Sequence, residues 1–222
     1  MYLSKSPGIL RSLTRKNLTW DFPDRPGEIF LTFDDGPVPE ITPRVLEILE
    51  QYQAKATFFC VGDNVQKHPE VYQQVLNAGH ATGNHTFHHL SGWKTPLEEY
   101  LADIDRCNQL VNSKLFRPPY GRIKPSYIQS IRPDYQIIMW SVLSGDFDQE
   151  SSPEKVLDNA LQHTTDGSIV VFHDSIKAAD RLFYALPEFL KYFSDKGYKF
   201  SAIKPYLLEF ESGKQEKREK RL

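Results

Sequence analysis

Two short stretches carry side chains whose types and spacing could do chemistry. The first is Leu31-Thr32-Phe33-Asp34-Asp35-Gly36-Pro37, where a mostly apolar run from Ile29 ends in two adjacent carboxylates and a Gly-Pro turn. Adjacent acids at the end of a buried strand are costly unless a cation holds them. A metal ion would serve, although Asp-Asp-Gly-Pro alone reads equally well as a solvated turn. The second stretch is His85-Thr86-Phe87-His88-His89. Its outer imidazoles stand at i and i+4, one helical turn apart, a spacing used for metal ligands. His85, His89 and one carboxylate make a two-His, one-carboxylate set of the kind that leaves an open position on catalytic zinc. The other aspartate then stays free as a general base for a water that the ion has made acidic. On a helix His88 points elsewhere, and His68, His80 and His163 lack sequence partners, so all four read as surface or core residues.

Arg117, Asp146 and His173 complete the set of polar residues that stand out. A guanidinium fork can orient the base carboxylate, and a histidine across the site can protonate a leaving group. Taken singly, Arg117 also fits an ordinary ion pair and His173 a structural hydrogen bond. Position joins them. Asp34 and Asp35 follow the first apolar run, His85 the third, Arg117 ends the fourth, Asp146 comes shortly after a run ending at Trp140, and His173-Asp174 follow Val170-Val171-Phe172. In a barrel of parallel strands all C-terminal ends share one face, where sites form.

The elements that must do this positioning alternate. Strand-like runs cover Glu28 to Phe33, Lys55 to Val61, His80 to Asn84, Lys114 to Arg117, Tyr135 to Trp140, Ser168 to Phe172 and Tyr198 to Ser201. Between them lie helical patterns: one after Thr42-Pro43, Pro69 to Ala78 closed by Gly79, one opened by Thr95-Pro96-Leu97-Glu98 as a capping box, Pro125 to Ile131, one from Ser152-Pro153, and Leu182 to Phe193 around Pro187. Continuous apolar strands separated by helices indicate a parallel sheet covered on both faces. The predicted fold is α/β, a distorted (β/α) barrel, closed or incomplete, of about seven parallel strands. An open doubly wound sheet is the alternative, which periodicity does not separate from it.

The chain has 222 residues, 40% hydrophobic and 25% charged, and reads as one large domain without linker or repeat. The expected divisions are an N-terminal extension (1–27), a catalytic domain (28–210) and a basic disordered tail (211–222). A net charge of −2 offers no bulk field for nucleic acid. Cys60 and Cys107 read as buried free thiols. Met1 to Thr14 holds no apolar core long enough for a secretory signal or a membrane span, so the expected compartment is the cytoplasm. A short amphipathic turn with Lys5, Arg11, Arg15 and Lys16 at a lipid surface is the minor alternative.

The motifs, in this order, resemble those of the polysaccharide deacetylases, the NodB homology domain of carbohydrate esterase family 4, over roughly Ile29 to Ile203. The resemblance implies Asp34 as catalytic base and Asp35, His85 and His89 as ligands of a divalent metal, commonly zinc, with cobalt or nickel as substitutes. Arg117-Pro118-Pro119-Tyr120 resembles the third motif. There Arg117 would orient Asp34, and the Tyr120 N–H would serve an oxyanion. Asp146 would act through Arg117 or its neighbours, His173 as general acid, and Val171 in lining an acetyl pocket. Three residues depart from the pattern: Phe147 replaces a Trp, Leu143 stands where an acid is expected, and Val171 replaces Leu. They change the groove wall and leave base, acid and ligands intact. The implied activity is removal of N-linked, or alternatively O-linked, acetyl groups from an amino-sugar chain, and Phe87, Trp93, Tyr120 and Phe147 read equally as faces that stack on sugars and as core residues. Hydrolysis of a small amide or cyclic ureide, and a non-catalytic glycan-binding domain, are the competing readings.

Overall fold

The computed structural model describes residues 3–205. The expected tail at 211–222, and the last residues assigned to the catalytic domain, lie outside them. Eight parallel strands form one curled sheet: β1 (Glu28–Asp34), β2 (Ala56–Cys60), β3 (Ala81–Asn84), β4 (Leu115–Phe116), β5 (Gln136–Ile137), β6 (Val142–Leu143), β7 (Ile169–His173) and β8 (Lys199–Phe200). Seven follow the order β5-β4-β3-β2-β1-β7-β6, and β8 pairs with the start of β1. The helices are α1 (Gly8–Thr14), α2 (Thr42–Gln51), α3 (Gly62–Lys67), α4 (Pro69–Asn77), α5 (Leu97–Val111), α6 (Pro125–Ile131), α7 (Pro153–His163) and α8 (Ala179–Asp195).

Alternation along β1 explains the layers. Ile29, Leu31 and Phe33 belong to an outer core with Leu49 of α2 and Leu186 and Phe189 of α8. Phe30 joins an inner cluster with Phe59, Leu115, Ile138 and Ile169. Thr32 and Asp34, two and four residues on from Phe30, meet Arg117. Gly83 of β3 makes room for that interior: a Cβ there would lie 2.5 Å from the Phe59 ring.

The strands at the open side are not continuous. The run from Tyr135 to Trp140 is not one strand; β5 ends at Ile137, and β6 begins at Val142 on the far edge of the sheet. The N-terminal segment lies between these edges. Thr19 bridges to Ile138, Lys5 to Val142 and Asp21 to Ser168, and Leu18, Trp20 and Phe22 are buried. Trp140 packs against two core clusters at the crossing, so its hydrophobicity gave no sign of the break. Arg11 and Arg15 both pair with Asp21, at 2.7 and 2.6 Å. Among the described residues no helix is long and apolar enough to cross a membrane.

Some local signals resolve differently from their sequence reading. Ser152 caps α7, accepting from the Lys155 N–H at 3.2 Å. Thr95 does not form the expected capping box: α5 starts at Leu97 with Pro96 at its cap and no side-chain cap bond. Thr42 is the first residue of α2, not its cap, and its hydroxyl serves Val38 N–H and Asp174. α8 runs through Pro187. Cys60 and Cys107 are buried free thiols.

Candidate active site and metal centre

The expected base, acid, arginine and first histidine sit at strands' C-terminal ends or just past them. Asp34 ends β1, His85 follows β3, Arg117 follows β4, Asp146 lies three residues past β6, and His173 ends β7. β1 pairs with β7 so that Asp34 stands beside His173.

Asp34 and Asp35 turn to different partners. Asp34 Oδ1 accepts from Arg117 Nη1 at 2.6 Å. The guanidinium is fully buried, gives Nη1 also to Thr32 Oγ1 (2.7 Å), Nη2 to Met139 O (3.0 Å) and Nε to Ile138 O (3.3 Å), and lies 4.1 Å over the Phe59 ring. So many fixed partners leave Arg117, and through it Asp34, little freedom. Asp34 Oδ2 stands 4.0 Å from His85 Nε2.

Asp35 faces the histidines. Its Oδ1 lies 3.1 Å from His89 Nε2 and 3.8 Å from His85 Nε2. The three candidate ligand atoms of Asp35, His85 and His89 all lie within 4.8 Å of one another. Bonds of about 2.1 Å to one tetrahedral ion separate ligand atoms by about 3.4 Å, so this donor set fits a cation. His85 Nδ1 donates to Arg117 O at 2.8 Å, which leaves Nε2 free to ligate. Burial draws the His85 imidazole down to about 4, so it is neutral at physiological pH as a ligand must be. Burial works against ionisation of Asp35, but the His89 hydrogen bond and the nearby imidazoles hold it well below the usual carboxylate range.

The expected helix between His85 and His89 is absent. Thr86 and His89 have φ of 61° and 57°. Side-chain acceptors replace helical carbonyls: Asn84 Oδ1 takes Thr86 N–H at 2.9 Å, and Asp103 Oδ2 takes Phe87 and His88 N–H at 2.8 and 2.9 Å. The two imidazoles still converge, with ring centroids 5.1 Å apart. His88 turns to Asp103 Oδ1. Asp103 escaped the sequence reading; the available signal was an acid on the buried face of α5, between Tyr100 and Cys107.

Asp146 turns to His173. Its Oδ1 meets His173 Nδ1 at 2.7 Å and its Oδ2 accepts the His173 N–H at 2.7 Å. Burial alone would lower the His173 imidazole, but the Asp146 charge and hydrogen bond push it up to about 9. Phe147 packs edge-on against His173, centroids 5.1 Å apart.

The expected wall residues separate. Tyr120 is 60% exposed, with its hydroxyl 3.1 Å from His89 Nδ1. Trp93 is 57% exposed, and Arg122 lies over both rings. Phe87 is a core residue. Val171 is fully buried between Thr32 of β1 and Leu143 of β6.

A family model described as polysaccharide deacetylase matches residues 22–133. A peptidoglycan-N-acetylglucosamine deacetylase of Bacillus cereus is 34% identical over 86% of this chain and 92% of its own length. A chitooligosaccharide deacetylase of Azorhizobium caulinodans is 32% identical over 66% of this chain and 73% of its own. The crystal structure of the Bc1960 peptidoglycan N-acetylglucosamine deacetylase, in complex with an N-oxidanyl-benzamide, superposes with a TM-score of 0.82 and 29% identity over 89% of this chain and 95% of that one. By these matches the chain belongs to the polysaccharide deacetylase family, the NodB homology group of carbohydrate esterase family 4.

Proposed function

We propose that this protein is a metal-dependent hydrolase that removes N-acetyl groups from an N-acetylglucosamine-containing polymer or oligomer. The carrying observation is the divergence of two adjacent carboxylates, Asp34 onto Arg117 and Asp35 onto His85 and His89. A base and a ligand are thus set side by side. Relatives that act on peptidoglycan and on chitooligosaccharides share the N-acetyl amino sugar as substrate class. An oxygen with two imidazole nitrogens is a donor set that suits zinc, with cobalt and nickel as functional substitutes.

Asp35, His85 and His89 would hold the ion. A divalent cation there supplies Lewis-acid polarisation and a lowered water pKa. Asp34, fixed by Arg117, takes the proton of a water whose oxygen bonds to the acetyl carbonyl carbon. The Tyr120 N–H donates to the oxygen on which negative charge develops. His173, kept charged by Asp146, gives its proton to the nitrogen as the C–N bond breaks. The products are acetate and a free amine. Exposed Trp93 and Tyr120, with half-buried Phe147, offer ring faces to sugars.

A substrate panel tests this reading. The zinc-loaded protein is expected to release acetate from peptidoglycan fragments and N-acetylglucosamine oligomers. Turnover of small cyclic ureides with no release from any acetylated glycan would overturn it.

A further inference from the structure

Asp174 takes no part in the proton transfers above, yet it is only 1% exposed and lies beside the site. We propose that Asp174 is a positioning residue for the cation: it grips the backbone on both sides of Asp35 and so aims the Asp35 carboxylate. This rests on Asp35 being a ligand. The Asp174 N–H donates to Asp34 O at 3.1 Å. The Gly36 N–H donates to Asp174 Oδ1 at 3.0 Å. These two peptide groups flank Asp35, whose φ is 84°. A residue with a Cβ holds such a φ only where its surroundings over-determine it.

The surroundings do. Asn64 Nδ2 donates to Asp35 O at 2.7 Å, and Val61 N–H to Gly36 O at 3.0 Å. The Asp174 carboxylate is itself pinned, since Oδ2 accepts from Thr42 Oγ1 at 2.6 Å, and Thr42 in turn accepts from Val38 N–H at 2.8 Å. Gly36 permits the approach: a Cβ there would fall 2.0 Å from Asp174 Oδ2. The β1–β7 register pairs Asp34 with His173, the last residue of each strand, so Asp35 and Asp174 both follow directly after that pair. One carboxylate thus ties the ligand's loop to β7 and, through Thr42, to α2.

Zinc affinity separates this role from a merely structural one. The full-length protein is stripped of metal and titrated with zinc against a competing chelator, while the thermal midpoint of the metal-free form reports the fold. Asp174→Ala is expected to weaken zinc binding about tenfold or more, the scale of outer-shell partners. Asp174→Asn keeps an acceptor for the Gly36 N–H and is expected to stay within about fivefold of wild type. A wild-type zinc affinity in Asp174→Ala overturns the proposal, whatever its midpoint. Should that variant not fold, Asp174→Asn decides, since a loss beyond fivefold overturns the proposal. A wild-type protein that binds no zinc overturns the metal-centre reading as well.

Discussion

Asp146→Asn isolates the ion pair that readies His173 for proton donation. The substitution keeps the shape and an amide oxygen for the His173 N–H, now at 2.7 Å from Asp146 Oδ2, but removes the charge. In the wild type that charge outweighs burial and holds the imidazole at about 9. Without it, burial lowers the imidazole while the Asp35 and Asp34 charges still raise it, so the group falls back toward an ordinary value of about 6.5. At pH 8 a group of pKa 9 is about nine-tenths protonated and one of pKa 6.5 about one-thirtieth, so kcat/KM should fall by up to about thirtyfold. At pH 5.5 both are protonated, and the loss should be small. A bound cation lowers both values by its own field, so the displacement between the two proteins is the quantity to compare. The sign for stability follows from the same shift. A raised imidazole contributes fully below about pH 6.5 and is lost as pH rises through about 9, a difference of about 3 kcal/mol. The assay is the pH profile of acetate release from an N-acetylglucosamine oligomer for both proteins. An alkaline limb in the same place in each would refute the role of Asp146 and, with it, His173 as the acid.

Three further outcomes follow from the geometry. Asp34→Asn should lower kcat by about 10²–10⁴-fold, the usual contribution of a general base, while zinc content by elemental analysis stays at the wild-type level. His85→Ala should lose zinc on dialysis, and full retention would remove His85 from the ligand set. Gly83→Ala would push a Cβ to 2.5 Å from the Phe59 ring. Overpacking of this kind costs about 1–3 kcal/mol, a fall of about 3–10 °C in the thermal midpoint for a chain of this size.

Much of this arrangement was legible in the sequence because it depends on strand ends. The runs into Asp34 and His173 are long, apolar and uninterrupted, so their direction and the residues that follow them could be read directly. β5 and β6 are two residues each, and the apolar run across Trp140 hides the gap between them. His85 and His89 converge as expected, but through a turn with two positive φ values and not through a helix. Spacing reports that two side chains can meet; it does not report which backbone brings them together. The supports were the least legible part. Asp103 and Asp174 act on backbone N–H groups across elements, and such bonds leave no periodic trace. Asp146 and His173 were both singled out from the sequence, while their pairing emerged only from the approach of β6 to β7.

The most direct test of the whole account is acetate release from an N-acetylglucosamine oligomer by chelator-stripped protein, before and after addition of one equivalent of zinc. The expected result is no release before and full activity after, with Asp35→Ala silent in both states. Equal release with and without zinc, or release by Asp35→Ala at the wild-type rate, would contradict it.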